Sequence, residues 1–286
     1  MPRFDTPAPI DLSITVQVGL IEVIASDRVD TIVTVSPTNR DRAVDVRAAH
    51  ETAVTFDGGR LTVTSPRPRF TFIGPSESVD VTVELPTGSR LTAEIAVGNL
   101  RSSGQLGATR VKSSTGAVVL DRTGDLWVRV SHGSATVAAA DGSAEITADH
   151  GQIRIGEITG DSTFKSSHGN VTVGTSGGDL EAKLSYGDLD VEKVLGSAAS
   201  KSAYGTIRLG EISSGAVDVE TGFGQIAIGV RPGVPAWLDL SSKSGHVRNQ
   251  LDDGAAPGET ESSVAVRAHT QFGDVTIERA SQSATQ

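Results

Sequence analysis

The chain has 286 residues, a formal net charge of −10 and no cysteine. That charge argues against general attraction to nucleic acid or anionic membranes, and the lack of cysteine excludes disulfides and thiolate metal sites. Aromatic residues make up only 4% of the chain, so a core must be built from Val, Ile, Leu and Ala. The N-terminal segment lacks the apolar run of a signal peptide, and no stretch has the ~18 apolar residues of a membrane helix. We therefore expect a cytoplasmic protein with no integral membrane segment, and display at a surface is left open.

Residues 1–90 are predicted to form an N-terminal β cap. Leu12 and Ile14 begin an apolar alternation that continues on the far side of Gly19, a pattern typical of a first solenoid turn. Four further alternating segments, separated by turn residues, predict antiparallel strands: 31–35, 44–46, 61–63 and 79–85. A cap of this kind would cover an open strand edge, which otherwise promotes aggregation.

Residues 91–279 are predicted to form a β-solenoid with turns of about 18 residues. One series of glycines comprises Gly98, Gly116, Gly133, Gly151, Gly169, Gly187 and Gly205, and a second lies midway between them at Gly124, Gly142, Gly160, Gly178 and Gly196. Apolar and polar residues alternate on both sides of each glycine of the first series, which indicates two short strands per turn, each with one buried face. A glycine corner, where φ can be positive, joins the two strands. Stacked turns share a core that no single turn could bury, so the fold is predicted to be an all-β, single-chain solenoid.

The C-terminal part extends the same pattern. One turn is predicted around Gly245, with Leu238 and Val247, and the last turn follows it in chain order around Gly273. Residues 280–286 are rich in Ser, Gln and Ala and are expected to form a disordered tail.

Several segments resemble the bacterial "putative adhesin" β-strand-repeat family, a domain of unknown function. They are SHGNVTV at 167–173, SYGDLDV at 185–191, VDVTVELPTGS at 79–89 and GDVTI at 273–277. The resemblance covers about residues 10–279. It implies a β-solenoid with no known enzymatic activity, and it supplies no catalytic residue.

A column of mostly ring-bearing residues precedes the corner glycines. Its members are His132, His150, His168, Tyr186, Tyr204 and Phe223. One interpretation is a ladder of histidines that binds a metal, since neutral imidazoles are metal ligands. The other is a structural stack of flat side chains that shares the parity of the buried positions. We favour the stack because Val97 occupies the same position, and we expect neither a metal nor a cofactor.

A basic column lies three residues before those rings. It comprises Lys112, Arg129, Lys165, Lys183 and Lys201, with Arg208 on the adjoining strand. Like charges on neighbouring strands repel each other, so the column could mark a site for an anionic polymer. The alternative is a solvated face neutralised by nearby carboxylates such as Glu145 and Glu181.

No catalytic signature is present. The sequence has no nucleophile elbow, phosphate loop or zinc-binding helix motif. Asp161 and Asp179 on adjacent turns could suggest a polysaccharide-cleaving β-helix, but such enzymes need a cleft built from long loops, and these turns are tight. We therefore expect no enzymatic activity.

The sequence is best interpreted as a non-enzymatic, adhesin-like β-repeat scaffold or interaction module. The alternative is a β-helix that binds an anionic polymer or carbohydrate, for which Trp127 is the candidate exposed ring, while Trp237 is expected to plug the core. The expected partner is an unidentified protein or polymer, or copies of the chain joined through the solenoid ends. Nucleic acid is not expected as a partner.

Overall fold

The computed structural model describes residues 2–66, 77–251 and 263–281. These residues form 25 β-strands and one α-helix, and the chain divides into two compact units, Met1–Asp141 and Gly142–Gln286. The all-β solenoid prediction is confirmed. The greater part of the expected tail, residues 282–286, lies outside the described residues.

The first unit contains eleven strands and the helix. They are β1 (Arg3–Asp5), β2 (Asp11–Ser26), β3 (Asp30–Pro37), α1 (Ala43–Glu51), β4 (Ala53–Asp57), β5 (Arg60–Thr64), β6 (Val79–Pro86), β7 (Arg90–Ser103), β8 (Thr109–Thr115), β9 (Val118–Thr123), β10 (Leu126–His132) and β11 (Ala135–Ala140). From β7 onward the strands pair in parallel, β7 with β8 and β9, β8 with β10, and β9 with β11. Their inward side chains, such as Val111 and Val128, are buried.

Strand β2 is the first solenoid turn that the sequence predicted. It pairs in parallel with β7, and Gly19 lies directly opposite Gly98. Both glycines have a positive φ, +141° and +140°, and a Cβ at Gly98 would lie 1.8 Å from the carbonyl oxygen of Gly19. Only glycine fits such a corner, because both the backbone angle and the close approach exclude a side chain.

The cap contains the expected antiparallel pairs together with parallel ones. Strand β3 pairs antiparallel with β1 and β6, and β4 forms a hairpin with β5. Strands β5 and β6 then pair in parallel with β2, so they continue the solenoid sheet. Leu61, Val63 and Val83 are fully buried in this layer.

The strand predicted at 44–46 is wrong, because this segment forms the start of helix α1. Its buried residues are Asp45 and Ala48, which lie three positions apart and share one helix face. Asp45 accepts a hydrogen bond from the backbone N–H of Ser78 (3.1 Å), which fixes the helix to the residues before β6. Three alanines within the segment also favour a helix over a strand.

The second unit contains fourteen strands. They are β12 (Ala144–His150), β13 (Ile153–Ile158), β14 (Ser162–His168), β15 (Val171–Ser176), β16 (Leu180–Tyr186), β17 (Leu189–Val194), β18 (Ala198–Tyr204), β19 (Ile207–Ile212), β20 (Gly215–Phe223), β21 (Ile226–Val230), β22 (Ala236–Ser244), β23 (Val247–Asn249), β24 (Val264–Phe272) and β25 (Val275–Arg279). The even-numbered strands from β12 to β20 pair in parallel, as do the odd-numbered strands from β13 to β21. Each turn thus contributes one strand to each of two parallel ladders, whose inward Val, Ile, Leu and Ala side chains form the core.

The last two turns do not stack in chain order, which corrects the sequence prediction. Strands β24 and β25 pair with β20 and β21 on one side and with β22 and β23 on the other. The later segment therefore lies inside the earlier one. Val266 and Val275 of the inner turn are fully buried, whereas every residue of β23 is exposed.

Candidate interaction surface

The ring column forms one continuous ladder in the second unit. The rings of His150, His168, Tyr186, Tyr204, Phe223 and Phe272 stack in that order. Neighbouring ring centroids are between 4.7 Å (Phe223 to Phe272) and 5.0 Å (His168 to Tyr186) apart, and neighbouring planes differ by 10° or less. This spacing equals the separation of adjacent strands, so the parallel register itself stacks the rings.

The rings face solvent, which corrects the buried parity expected from the sequence. Tyr186 is 49% exposed and Phe223 is 43% exposed. The alternation of the strand breaks just before the corner: Ser166 is buried, but His168, two residues later, is exposed. The Ser166 hydroxyl donates a hydrogen bond to the carbonyl oxygen of Gly169 (3.0 Å). Tyr186 is exposed although Leu184 stands where Ser166 does, so the bend of the chain at the corner, rather than this bond, turns the ring outward.

The same position in the first unit is not a ring column. Val97 precedes the corner at Gly98 and is 48% exposed, and Thr115 precedes Gly116. His132, at the next corner of that unit, is exposed. The corner therefore closes without a ring, so the fold itself does not require the ladder of the second unit.

The geometry does not favour the metal interpretation of the histidines. His150 and His168 stack face to face at 4.9 Å with their planes 4° apart, so the nitrogen lone pairs, which lie in the ring planes, lie in two nearly parallel planes. A shared metal ion requires ligand atoms that converge on one point. The described residues contain no group of three or more His, Asp or Glu side chains that could hold a metal ion.

The lysines of the basic column are each paired with a carboxylate. The Nζ–Oε distance is 2.9 Å from Lys112 to Glu94, 3.6 Å from Lys165 to Glu145, 2.6 Å from Lys183 to Glu181 and 2.9 Å from Lys201 to Glu220. Arg129 lies beside Lys112 in the parallel register of the first unit. Arg208 lies on a different strand, β19, and pairs with Asp190 (3.0 Å).

Two of these ion pairs are strong enough to shift a pKa. The hydrogen bond and charge of Lys183 lower the pKa of Glu181, and Glu220 raises the pKa of Lys201 in the same way. Both shifts favour the charged forms of these groups. The column is therefore a row of neutralised pairs on an exposed face.

Asp161 and Asp179 cap the backbone of the next turn. An Asp161 carboxylate oxygen accepts a hydrogen bond from the N–H of Asp179 (2.9 Å), and Asp179 does the same for the N–H of Ser197 (2.8 Å). This repeated hydrogen bond accounts for the presence of Asp161 and Asp179 on adjacent turns, so a polysaccharide-cleaving site is not needed to explain them.

The two tryptophans differ from their expected roles. Trp127 is half-buried, and the guanidinium carbon of Arg110 lies 3.8 Å from its ring centroid. Trp237 is 57% exposed on β22, so it does not plug the core. Neither ring joins the ladder.

The sequence reasoning missed Phe272 as a member of the ladder. Its signal was the Phe-Gly pair at 272–273, which repeats the Phe-Gly pair at 223–224. The turn at 236–249 lies between the two Phe-Gly pairs in the sequence, and chain order does not show that β24 stacks directly on β20.

None of the helical segments among the described residues is long and apolar enough to cross a membrane.

Comparison with known proteins yields one family and several distant structures. The family model described as Toastrack DUF4097 matches residues 11–283. A search of curated proteins gives no match.

Three solved structures align over most of both chains. A "putative cell adhesion protein" from Clostridium sporogenes has 11% identity, covers 97% of this chain and 98% of its own, and gives a TM-score of 0.22. A "putative adhesin" from Bacteroides fragilis has 9% identity, covers 96% and 95%, and gives 0.33. A "putative lipid binding protein" from Parabacteroides distasonis has 10% identity, the same coverage of 96% and 95%, and a TM-score of 0.37.

Proposed function

The chain belongs to the Toastrack DUF4097 family, and from that premise we propose that it is a non-enzymatic interaction module that binds a partner protein along the ring ladder of its second unit. The observation that supports this is the placement of the aromatic residues. The chain has eleven of them, 2 Trp, 2 Tyr and 7 Phe. Both tyrosines and two of the phenylalanines stand in one exposed column. Exposed aromatic clusters mark protein interaction sites, where they contribute much of the binding energy.

The stacking decides which chemistry the ladder can recognise. Each ring between the two ends of the ladder has both faces covered by its neighbours, so it presents mainly its edge. A sugar binds an aromatic side chain through the ring face, which the stack does not offer. Ring edges carry partial positive charge and pack against the faces of other aromatic rings. The ladder therefore suits an extended polypeptide whose aromatic or apolar side chains lie flat across it.

A purely structural role is the competing explanation. Ring pairs of this kind contribute about 0.5–1.5 kcal/mol each beyond buried area. Val97 and Thr115 show, however, that the corner tolerates a small side chain. The anionic-polymer alternative gains no support from the basic column, because its lysines are already paired with carboxylates.

The test uses a substitution that the chain itself accepts at this position. The variant Tyr204→Thr/Phe223→Thr places the residue found at Thr115 in the middle of the ladder. The matched control, Thr172→Ala/Arg208→Ala, alters exposed residues of the other strand ladder. Parent, variant and control would serve as baits in quantitative affinity capture, with circular dichroism to establish that all three are folded.

We expect a set of proteins to be retained by parent and control and lost from the ladder variant. Retention of the same proteins by all three baits would contradict the proposal. A ladder that is only structural would lower the melting temperature of the variant without changing what it captures.

A further inference from the structure

The terminal turn of the second unit has an open strand edge. Strand β22 pairs with β24 on one side, and no strand lies on its other side within the part of the chain that the structure describes. The apolar side chains of this turn are incompletely covered: Leu238 and Leu240 are half-buried, and Val247 is 45% exposed. Their counterparts one turn inward, such as Val266, are fully buried.

The free hydrogen-bonding groups of β22 follow from its pairing with β24. The N–H of Val264 donates to the carbonyl oxygen of Pro235 (3.0 Å), so odd-numbered residues of β22 direct their N–H and C=O groups toward β24. The N–H and C=O groups of the even-numbered residues point in the opposite direction, away from β24. Leu238, Leu240 and Ser242 therefore direct their backbone groups to the open edge.

The outer face of β22 carries one charge of each sign, placed symmetrically about Ser241. Asp239 precedes it by two positions, and Lys243 follows it by two. Lys243 has no ion-pair partner among the residues described. Asp239 lies opposite Arg267 in the parallel register with β24, and its carboxylate is 3.8 Å from the ring of His269.

We propose that β22 is the interface for a second copy of this chain, joined as an antiparallel strand pair with Ser241 on the twofold axis. In this register, Asp239 lies opposite the second copy's Lys243, and the symmetry forms the same pair again. Leu240 lies opposite Ser242 of the second copy, so the even-numbered residues that face the open edge exchange hydrogen bonds. Asp239 and Lys243 then form pairs of the non-hydrogen-bonded type, in which opposite side chains are closest.

The pairing explains features that the isolated edge does not. It covers Leu238 and Leu240, pairs the open backbone groups of Leu240 and Ser242 and gives Lys243 a partner. Pairing of identical edges also closes the assembly at two copies, because each chain uses its single β22 edge. It uses neither the ring ladder nor its partner, so it stands independently of the proposed function.

Charge reversal tests the register without touching the core. The parent chain, Asp239→Lys, Lys243→Asp and the double variant Asp239→Lys/Lys243→Asp would be compared by sedimentation equilibrium over a wide concentration range. We expect the parent to form a reversible dimer, and each single reversal to weaken it about tenfold because two attractive pairs become repulsive. The double variant restores opposite charges and should return the dissociation constant to within about threefold of the parent.

Three results would overturn the proposal. One is a parent that sediments as a monomer of 29.5 kDa at every concentration, which would mean that Lys243 protects the edge from pairing. Another is assembly beyond two copies, which this closed pairing does not allow. The third is a double variant that associates no better than the single variants, since the charges would then not lie opposite each other.

Discussion

The N-terminal layer of the first unit and the terminal turn of the second unit have the same alternation of apolar and polar residues, but their apolar side chains are buried to different extents. In the first unit, β5 and β6 continue the sheet beside β2, and Leu61 is fully buried. In the second unit, Leu240 occupies an equally inward position of β22 but stays half-buried. Alternation thus determines which way a side chain points. Whether it is buried depends on the next layer: β5 and β6 supply one beside β2, and among the described residues no strand supplies one on the outer side of β22.

The largest expected contrast is in the cost of removing a core side chain from the two regions. Leu61→Ala should lower the free energy of unfolding by about 2–5 kcal/mol, because the residue is enclosed and leaves a cavity. Leu240→Ala should cost less than about half as much, since part of its side chain already contacts water. Urea unfolding at low protein concentration would measure both, with the outward-facing Thr62→Ala as the control. Equal losses for the two leucines would show that the terminal turn is as well covered as the cap.

A second contrast concerns the corner glycines. Gly98 and Gly245 both have a positive φ, and a Cβ would lie 1.8 Å from the Gly19 oxygen at the first and 2.0 Å from the Gly273 oxygen at the second. Gly98 is held between strands on both sides, whereas β22 and β23 can move away from the clash. We expect Gly98→Ala to cost about 2–3 kcal/mol and Gly245→Ala clearly less. Thermal melts of both variants provide the measurement. A larger fall in melting temperature for Gly245→Ala than for Gly98→Ala would show that the terminal turn does not move away from the clash.

The smallest contrast is in acid sensitivity. The side-chain hydrogen bond from Arg28 lowers the pKa of Asp30 in the cap, and the backbone N–H of His246 lowers that of Asp274 in the second unit. A carboxylate whose pKa is depressed by folding stabilises the protein above its unfolded pKa. That stabilisation is lost as pH falls through the folded pKa. Both Asp→Asn variants should therefore show a flatter decline in melting temperature between neutral pH and about pH 3.

At neutral pH the two variants should differ. Asp30→Asn loses its ion pairs with Arg28 and Arg3, so its melting temperature should fall. Asp274→Asn loses a longer ion pair with the exposed Arg248 (3.4 Å), which contributes little, and retains the backbone hydrogen bond, since Asn170 already accepts the equivalent bond from the N–H of Asp188 (3.0 Å). Its melting temperature should be nearly unchanged. A large loss in Asp274→Asn would show that charge, rather than the hydrogen bond, stabilises that corner.

Much of the fold could be predicted because its cause is local and periodic. The glycine series identified corners such as Gly98 and Gly169, and alternation on either side identified the strands. Helix α1 escaped prediction because Val44 and Val46 mimic a strand, and its burial depends on contacts with β3 and β6. The order of the last turns was also hidden, since two segments with the same pattern can occupy either layer.

The membership of the candidate surface was predicted except for Phe272, but its orientation was not. Equal spacing placed the ring residues in one column from the sequence alone. Their exposure depends on the bend of the chain at each corner glycine, which two-residue periodicity does not contain. The partners of Lys165 and Lys183 were foreseeable as nearby carboxylates, whereas the actual pairing depends on side-chain geometry.

The inverted order of the last turns has a consequence for biosynthesis. On the ribosome, residues 236–249 emerge before residues 264–272, yet β20 must pair with the later segment. Gly245 and Gly273 follow strands with the same alternation, so the earlier segment can occupy the vacant edge of β20 while synthesis continues. Completion of the chain then requires β22 to leave that edge and β24 to take it. Maturation should therefore include a slow strand exchange at the C-terminal end, where translation speed and chaperone access affect the yield of native protein.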